Sequence, residues 1–180
     1  MNQRERTRGL TVDAGLVCAA ALGSIVTTAL VVTALGLGPE ARRTLALEFA
    51  GLPRTRSEAI CIATHNGAIA AAPLLAAAAV AHVGPRGRRA IVVALWTLLV
   101  VNSVAVGIVV GAYGRRALTA LAPHGPLELL AFSVAGGACM QACRQRVGIA
   151  ALVGVATFTM LTLAAAAVLE VYVPTQGADR

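Results

Sequence analysis

Five long runs of almost uncharged, apolar residues constrain this chain more than any other feature. They cover about 10–37, 60–82, 90–112, 127–143 and 147–172, and each holds at most one formally charged side chain. A helix of about 20 apolar residues crosses a hydrocarbon core roughly 30 Å thick, and four of the runs reach or exceed that length while the fourth approaches it. The charges gather between them: Arg4/Arg6/Arg8, Arg42/Arg43, Arg54/Arg56, Arg86/Arg88/Arg89, Arg115/Arg116 and Arg144/Arg146. All fifteen basic residues are arginines, and the net charge is +7. Such a surplus suits nucleic acid in a soluble domain. Here the arginines punctuate apolar spans without interleaved aromatics, so the expected contact is the lipid headgroup and no nucleic acid. An apolar fraction of 58% supports the same conclusion, because a soluble domain must wet its surface. The expected fold is all-α, a polytopic bundle of about five transmembrane helices forming one membrane domain over residues 1–180.

The first run follows an arginine-rich start, as a secretory signal would. At about 28 residues it exceeds the 7–15 of a signal's apolar core, and "LVCA" around Cys18 lacks the small residue expected before a lipidated cysteine. A retained first span, stopped by Gly36, Gly38 and Pro39, is expected. Between the first two spans, "EARRTLALEF" sets Leu45 and Phe49 four apart, which fits either a short helix lying in the membrane surface or a plain loop. Val83–Arg89 reads as a turn, the PHG loop at Pro123-His124-Gly125 as a helix break before a fourth span that begins after Pro126, and Pro174 as the end of the last helix. With the N-terminus inside, eight arginines fall on the cytoplasmic side and seven opposite. The positive-inside bias therefore points, narrowly, to N-in and C-out in a bacterial cytoplasmic membrane.

Alternating topology makes one inference that does not depend on orientation. The start of the second span, the end of the third, the start of the fourth and the end of the fifth share one face. Asn66, Asn102, His124, Glu128 and Glu170 therefore lie near that face or mid-membrane, and one shared polar patch is the economical arrangement. Each member also has a local explanation. Glu128 follows Gly125-Pro126 in a first helical turn, where a carboxylate answers unpaired N–H groups and the positive dipole end. His124 would serve as a solvated loop histidine, and the asparagines as hydrogen-bonding links between helices. Glu170 is less easily explained locally. It lies in a last turn, where the dipole opposes it, so it should find a positive partner: Arg115, Arg116 or His124, the last with a raised pKa.

Other residues promise packing. Gly107 and Gly111 form a GxxxG, and Gly136-Gly137 are expected to interrupt the fourth span. Cys139 and Cys143 share a helix face that would serve two metal ligands or simply pack. No HExxH, G-x-S-x-G, Walker sequence or cofactor motif occurs. His124 and Glu128, four residues apart, lack a nucleophile or a third ligand, so neither catalysis nor a metal site is expected from them.

"THNGAIA", "VNSVAVGIVVG", "APHGPLEL" with "SVAGG", and the closing "LEVYVP" together resemble the stage II sporulation protein M family. The residues that carry the resemblance are Asn66, Asn102 with Gly107, Pro123-His124-Gly125 with Glu128, and Glu170 with Pro174, and the likeness spans about residues 60–174. It implies a multi-spanning bacterial membrane protein. In spore formers the namesake anchors two peptidoglycan-degrading enzymes that drive engulfment, and many relatives occur in bacteria without endospores. The resulting expectation is a non-enzymatic anchor or scaffold for cell-envelope partners such as peptidoglycan hydrolases, with no cofactor. The competing expectation is a small transporter or channel component using the polar patch, which would need a homo-oligomer because five helices without a repeat enclose little.

Overall fold

The computed structural model describes residues 3–46, 55–145 and 147–173. Among these, all regular structure is helical: α1 (Gln3–Ala34), α2 (Gly38–Leu45), α3 (Arg56–Ala79) with a 3₁₀ turn at Val80–His82, α4 (Pro85–Tyr113), α5 (Arg115–Leu121), α6 (Gly125–Arg144) and α7 (Ile149–Tyr172). Five stretches are long and apolar enough to cross a membrane: Arg8–Ala34, Arg56–His82, Pro85–Tyr113, Gly125–Arg144 and Ile149–Tyr172. The chain is an all-α, multi-pass membrane bundle.

The helix ends follow local chemistry. Thr55 caps α3 by accepting a hydrogen bond from the Glu58 backbone N–H at 3.2 Å, with Glu58 itself in the first turn. Gly84 is extended before Pro85, as a residue preceding proline must be, so Arg86, Arg88 and Arg89 form the first turns of α4 instead of a loop. α1 stops at Ala34, three residues earlier than expected. Gly36 adopts φ +65°, and the Leu37 N–H returns to the Val32 carbonyl, closing a Schellman turn that only a residue tolerant of positive φ completes cheaply. The connection after α1 is helical: α2 lies across the end of α4, where Arg42 donates to the Ala112 carbonyl at 3.0 Å. Phe49, Arg54 of the same connection, Arg146 and Pro174 lie outside the described residues. A second departure is α5, a two-turn helix where a loop was expected, set off from α4 by Gly114 at φ +56°.

Lipid is as apolar as leucine, so membrane helices associate by close packing of small residues. α6 shows this most clearly. Every residue from Ala135 to Ala142 is buried, and its span has the lowest mean hydropathy of the five, 1.2, yet is 56% buried against 11–22% for the others. A helix walled by protein needs no bulky lipid-facing side chains. α1 packs antiparallel on one side of α6, and α3 and α7 pack on the other. At Gly137 an added Cβ would stand 2.7 Å from the Ala14 backbone nitrogen, so the Gly136-Gly137 pair seats α1 while α6 continues unbroken. α4 lies outside α1 and parallel to it. Cβ atoms at Gly107 and Gly111 would meet Thr28 Cβ at 2.6 Å and Val32 Cβ at 2.7 Å, so the GxxxG is the α1–α4 contact. Cys139 is buried with Ala77, Val80 and Ala142, and Cys143 packs beside them, which is the packing role. Leu30, Leu75, Val93, Ile149 and Leu161 point outward, as lipid-facing residues do.

Candidate functional site

The turn Ala122–His124 joins α5 to α6. Pro126 has no N–H to leave unpaired in the first turn of α6, and the His124 carbonyl accepts from the backbone N–H groups of Leu127 and Glu128 at 3.0 and 3.1 Å. This makes His124 the last residue before the helix, four before Glu128. The turn buries the imidazole, leaving it 7% exposed, and Nδ1 has no hydrogen-bond partner among the described residues. The antiparallel path of α7 brings its last turn, with Glu170, up beside the start of α6. α3 runs parallel to α6 and contributes Asn66, whose side-chain N–H donates to Glu128 Oε1 at 2.5 Å.

Three elements thus converge on one end of the bundle. A ring nitrogen of His124 and one carboxylate oxygen each of Glu128 and Glu170 all lie within 4.8 Å of one another. Glu170 and Glu128 are half-buried. Among the described residues no arginine forms an ion pair with either carboxylate; Arg115 and Arg116, the other expected partners of Glu170, are exposed at the start of α5. The neighbour of Glu170 is therefore His124, as one of the three sequence alternatives had it. The expected consequence is reversed, however. Burial pushes the His124 pKa below the ordinary histidine range, and the attraction of Glu170 only partly offsets this, because desolvating an imidazolium outweighs one carboxylate that stands off at this distance.

The rest of the expected patch divides. Asn66 joins it, and the local helix-start explanation of Glu128 is incomplete, since its carboxylate is taken up by Asn66 and α6 has no side-chain N-cap bond. Asn102 does not join. It faces outward on α4 and donates to the Leu98 carbonyl of its own helix at 2.8 Å, because α4 packs on α1 and never reaches the α3–α6–α7 group at that level. Gly107 serves the α1–α4 seam. Pro123 and Gly125 shape the turn.

Below the cluster the bundle closes. Ala70, Ala131 and Leu163, none more than 1% exposed, form an apolar layer from the same three helices, and the Ala77–Val80–Cys139–Ala142 core follows.

One ionic element went unread in the sequence. Asp13 of α1 is buried, and Arg144 at the end of α6 donates to its Oδ1 at 2.6 Å. The signal was present: an aspartate one or two turns inside an apolar span, and an arginine closing another span on the same side. No family model, curated protein or solved structure matches this chain.

Proposed function

We propose that the protein is a non-enzymatic integral membrane anchor, presenting one face of its bundle to cell-envelope partners such as peptidoglycan hydrolases. The observation that carries this reading is the apolar layer of Ala70, Ala131 and Leu163 directly beneath the polar cluster. A solute entering among His124, Glu128 and Glu170 meets closely packed helix, so the ionisable groups serve a surface and not a path across the membrane. The resemblance to the stage II sporulation protein M family supports the same role. With the N-terminus in the cytoplasm of a bacterium, the cluster, α2 and α5 lie on the outer face of the cytoplasmic membrane, the side on which peptidoglycan is built. α2 has no buried residue and offers an exposed Glu40–Arg43 pair there, available to a docking protein.

A transporter is the competing reading, favoured by the buried hydroxyls of Ser133 and Thr159 within α6 and α7, which have no hydrogen-bond partner among the described residues. Two measurements separate them. Gentle solubilisation of the tagged chain, with cross-linking and identification of its companions, is expected to recover proteins that act on peptidoglycan. Glu128→Gln is expected to lower that recovery or the folded abundance. A pH-dependent ion flux in reconstituted vesicles, abolished by Glu128→Gln at unchanged abundance, would overturn the anchor.

A further inference from the structure

We propose that His124, Glu128 and Glu170 bind one divalent transition-metal ion, with Asn66 holding Glu128 in place. This assignment does not depend on the anchor reading. Sequence spacing offered only two ligands, one turn apart; the return of α7 supplies the third. One imidazole and two carboxylates, from the start of α6 and the end of α7, form a donor set of the kind that retains such ions with a position left for water.

The geometry suits an ion of this size. Donor atoms about 2.1 Å from a tetrahedral zinc ion stand about 3.4 Å apart. The three donors here lie within 4.8 Å of one another, so rotation of the two glutamate side chains closes the set without moving a helix. Nδ1 of His124 is buried with no hydrogen-bond partner among the described residues, an arrangement that is costly unless the ring has an occupant to meet. Charge argues the same way. Two carboxylates share a half-buried site, and among the described residues no arginine pairs with either. A divalent cation would neutralise both at once, which matters where water is scarce. Asn66, bonded to Glu128 Oε1, plays the orienting part that outer partners of metal ligands play. The imidazole selects among cations: nitrogen donors suit zinc and its transition-metal neighbours, while magnesium and calcium prefer all-oxygen sets. Both carboxylates keep part of their surface exposed, which gives an ion access from outside the bundle.

The test uses the full chain, purified in detergent and stripped with a chelator. Zinc added and then desalted is expected to remain at about one ion per chain, with magnesium and calcium not retained. Glu170→Gln and His124→Ala should each weaken zinc binding by at least about tenfold, and Asn66→Ala by about tenfold. A Cys139→Ser/Cys143→Ser variant should bind as the native chain does. Should a ligand variant fail to fold, cobalt in the native chain decides: weak visible bands without sulfur charge transfer are expected from a nitrogen and oxygen donor set. Failure of the native chain to retain zinc, full retention by folded Glu170→Gln, or a thiolate–cobalt band would each overturn the assignment. Equal retention of magnesium would overturn its transition-metal character. Neither the presence nor the absence of bound zinc bears on which proteins co-purify, so this proposal and the anchor reading fail separately.

Discussion

At the scale of single residues, the informative positions are those where a carbonyl, a carboxylate or a missing side chain fixes what lies next to it. Gly107 is one. An added Cβ would stand 2.6 Å from Thr28 Cβ and 2.7 Å from the Ile25 carbonyl oxygen, and backbone does not give way as a flexible side chain does. Gly107→Ala is expected to cost about 1–3 kcal/mol through overpacking. Gly23→Ala, on the same α1 but with nothing within 4 Å, should be neutral or slightly stabilising. Thermal unfolding in detergent checks both; equal effects at the two positions would disprove a tight α1–α4 seam. The contrast also shows what could be read in advance. Glu170 announced its need for a neighbour, because a carboxylate in a last turn opposes the helix dipole. Asn102 announced nothing. An asparagine mid-span satisfies itself on the carbonyl one turn back as readily as across an interface, and only the packing of α4 on α1 decides which.

Among elements, length and hydropathy located the five spans, since both are properties of each segment alone. They say nothing of which span is innermost. α6 is the least apolar of the five and the most enclosed, and its run of Ala, Gly, Ser and Cys is intelligible only once α1, α3 and α7 are seen around it. α5 escaped notice for a related reason: Arg115–Leu121 is too short to show a period, and its start rests on the positive φ of Gly114. For α2 a short helix was one of the two open readings, but its attachment, through Arg42 on the Ala112 carbonyl and the approach of Gly38 to Ala112, has no sequence signature. Arg42→Ala removes a charged donor from one of the carbonyls left open at the end of α4. It should loosen α2 at a cost of about 1 kcal/mol. A spin label at Thr44 is expected to become more mobile in that variant while one on α6 stays unchanged; an immobile Thr44 label would show that α2 is held by something else.

For the whole molecule, the alternation of five spans makes sidedness a single binary property. A reporter fused at Gly84 should read cytoplasmic and one fused at Ala122 external, a pattern that also places the His124–Glu128–Glu170 cluster outside. The opposite pattern would turn the molecule over, and two reporters on one side would contradict the span count. The plan of the bundle also has an order in time. A chain is made from its N-terminus, yet Asp13 meets its counter-ion Arg144 across 131 residues, after three further spans have been threaded. Until then α1 carries a carboxylate about one to two turns inside its apolar stretch without this counter-ion, which the ribosome delivers only with the fourth span. The nascent first helix is therefore expected to sit high at the membrane edge, or under the care of the insertion machinery, and to sink to its final depth only when α6 arrives. The first helix to be made is thus seated only after the fourth.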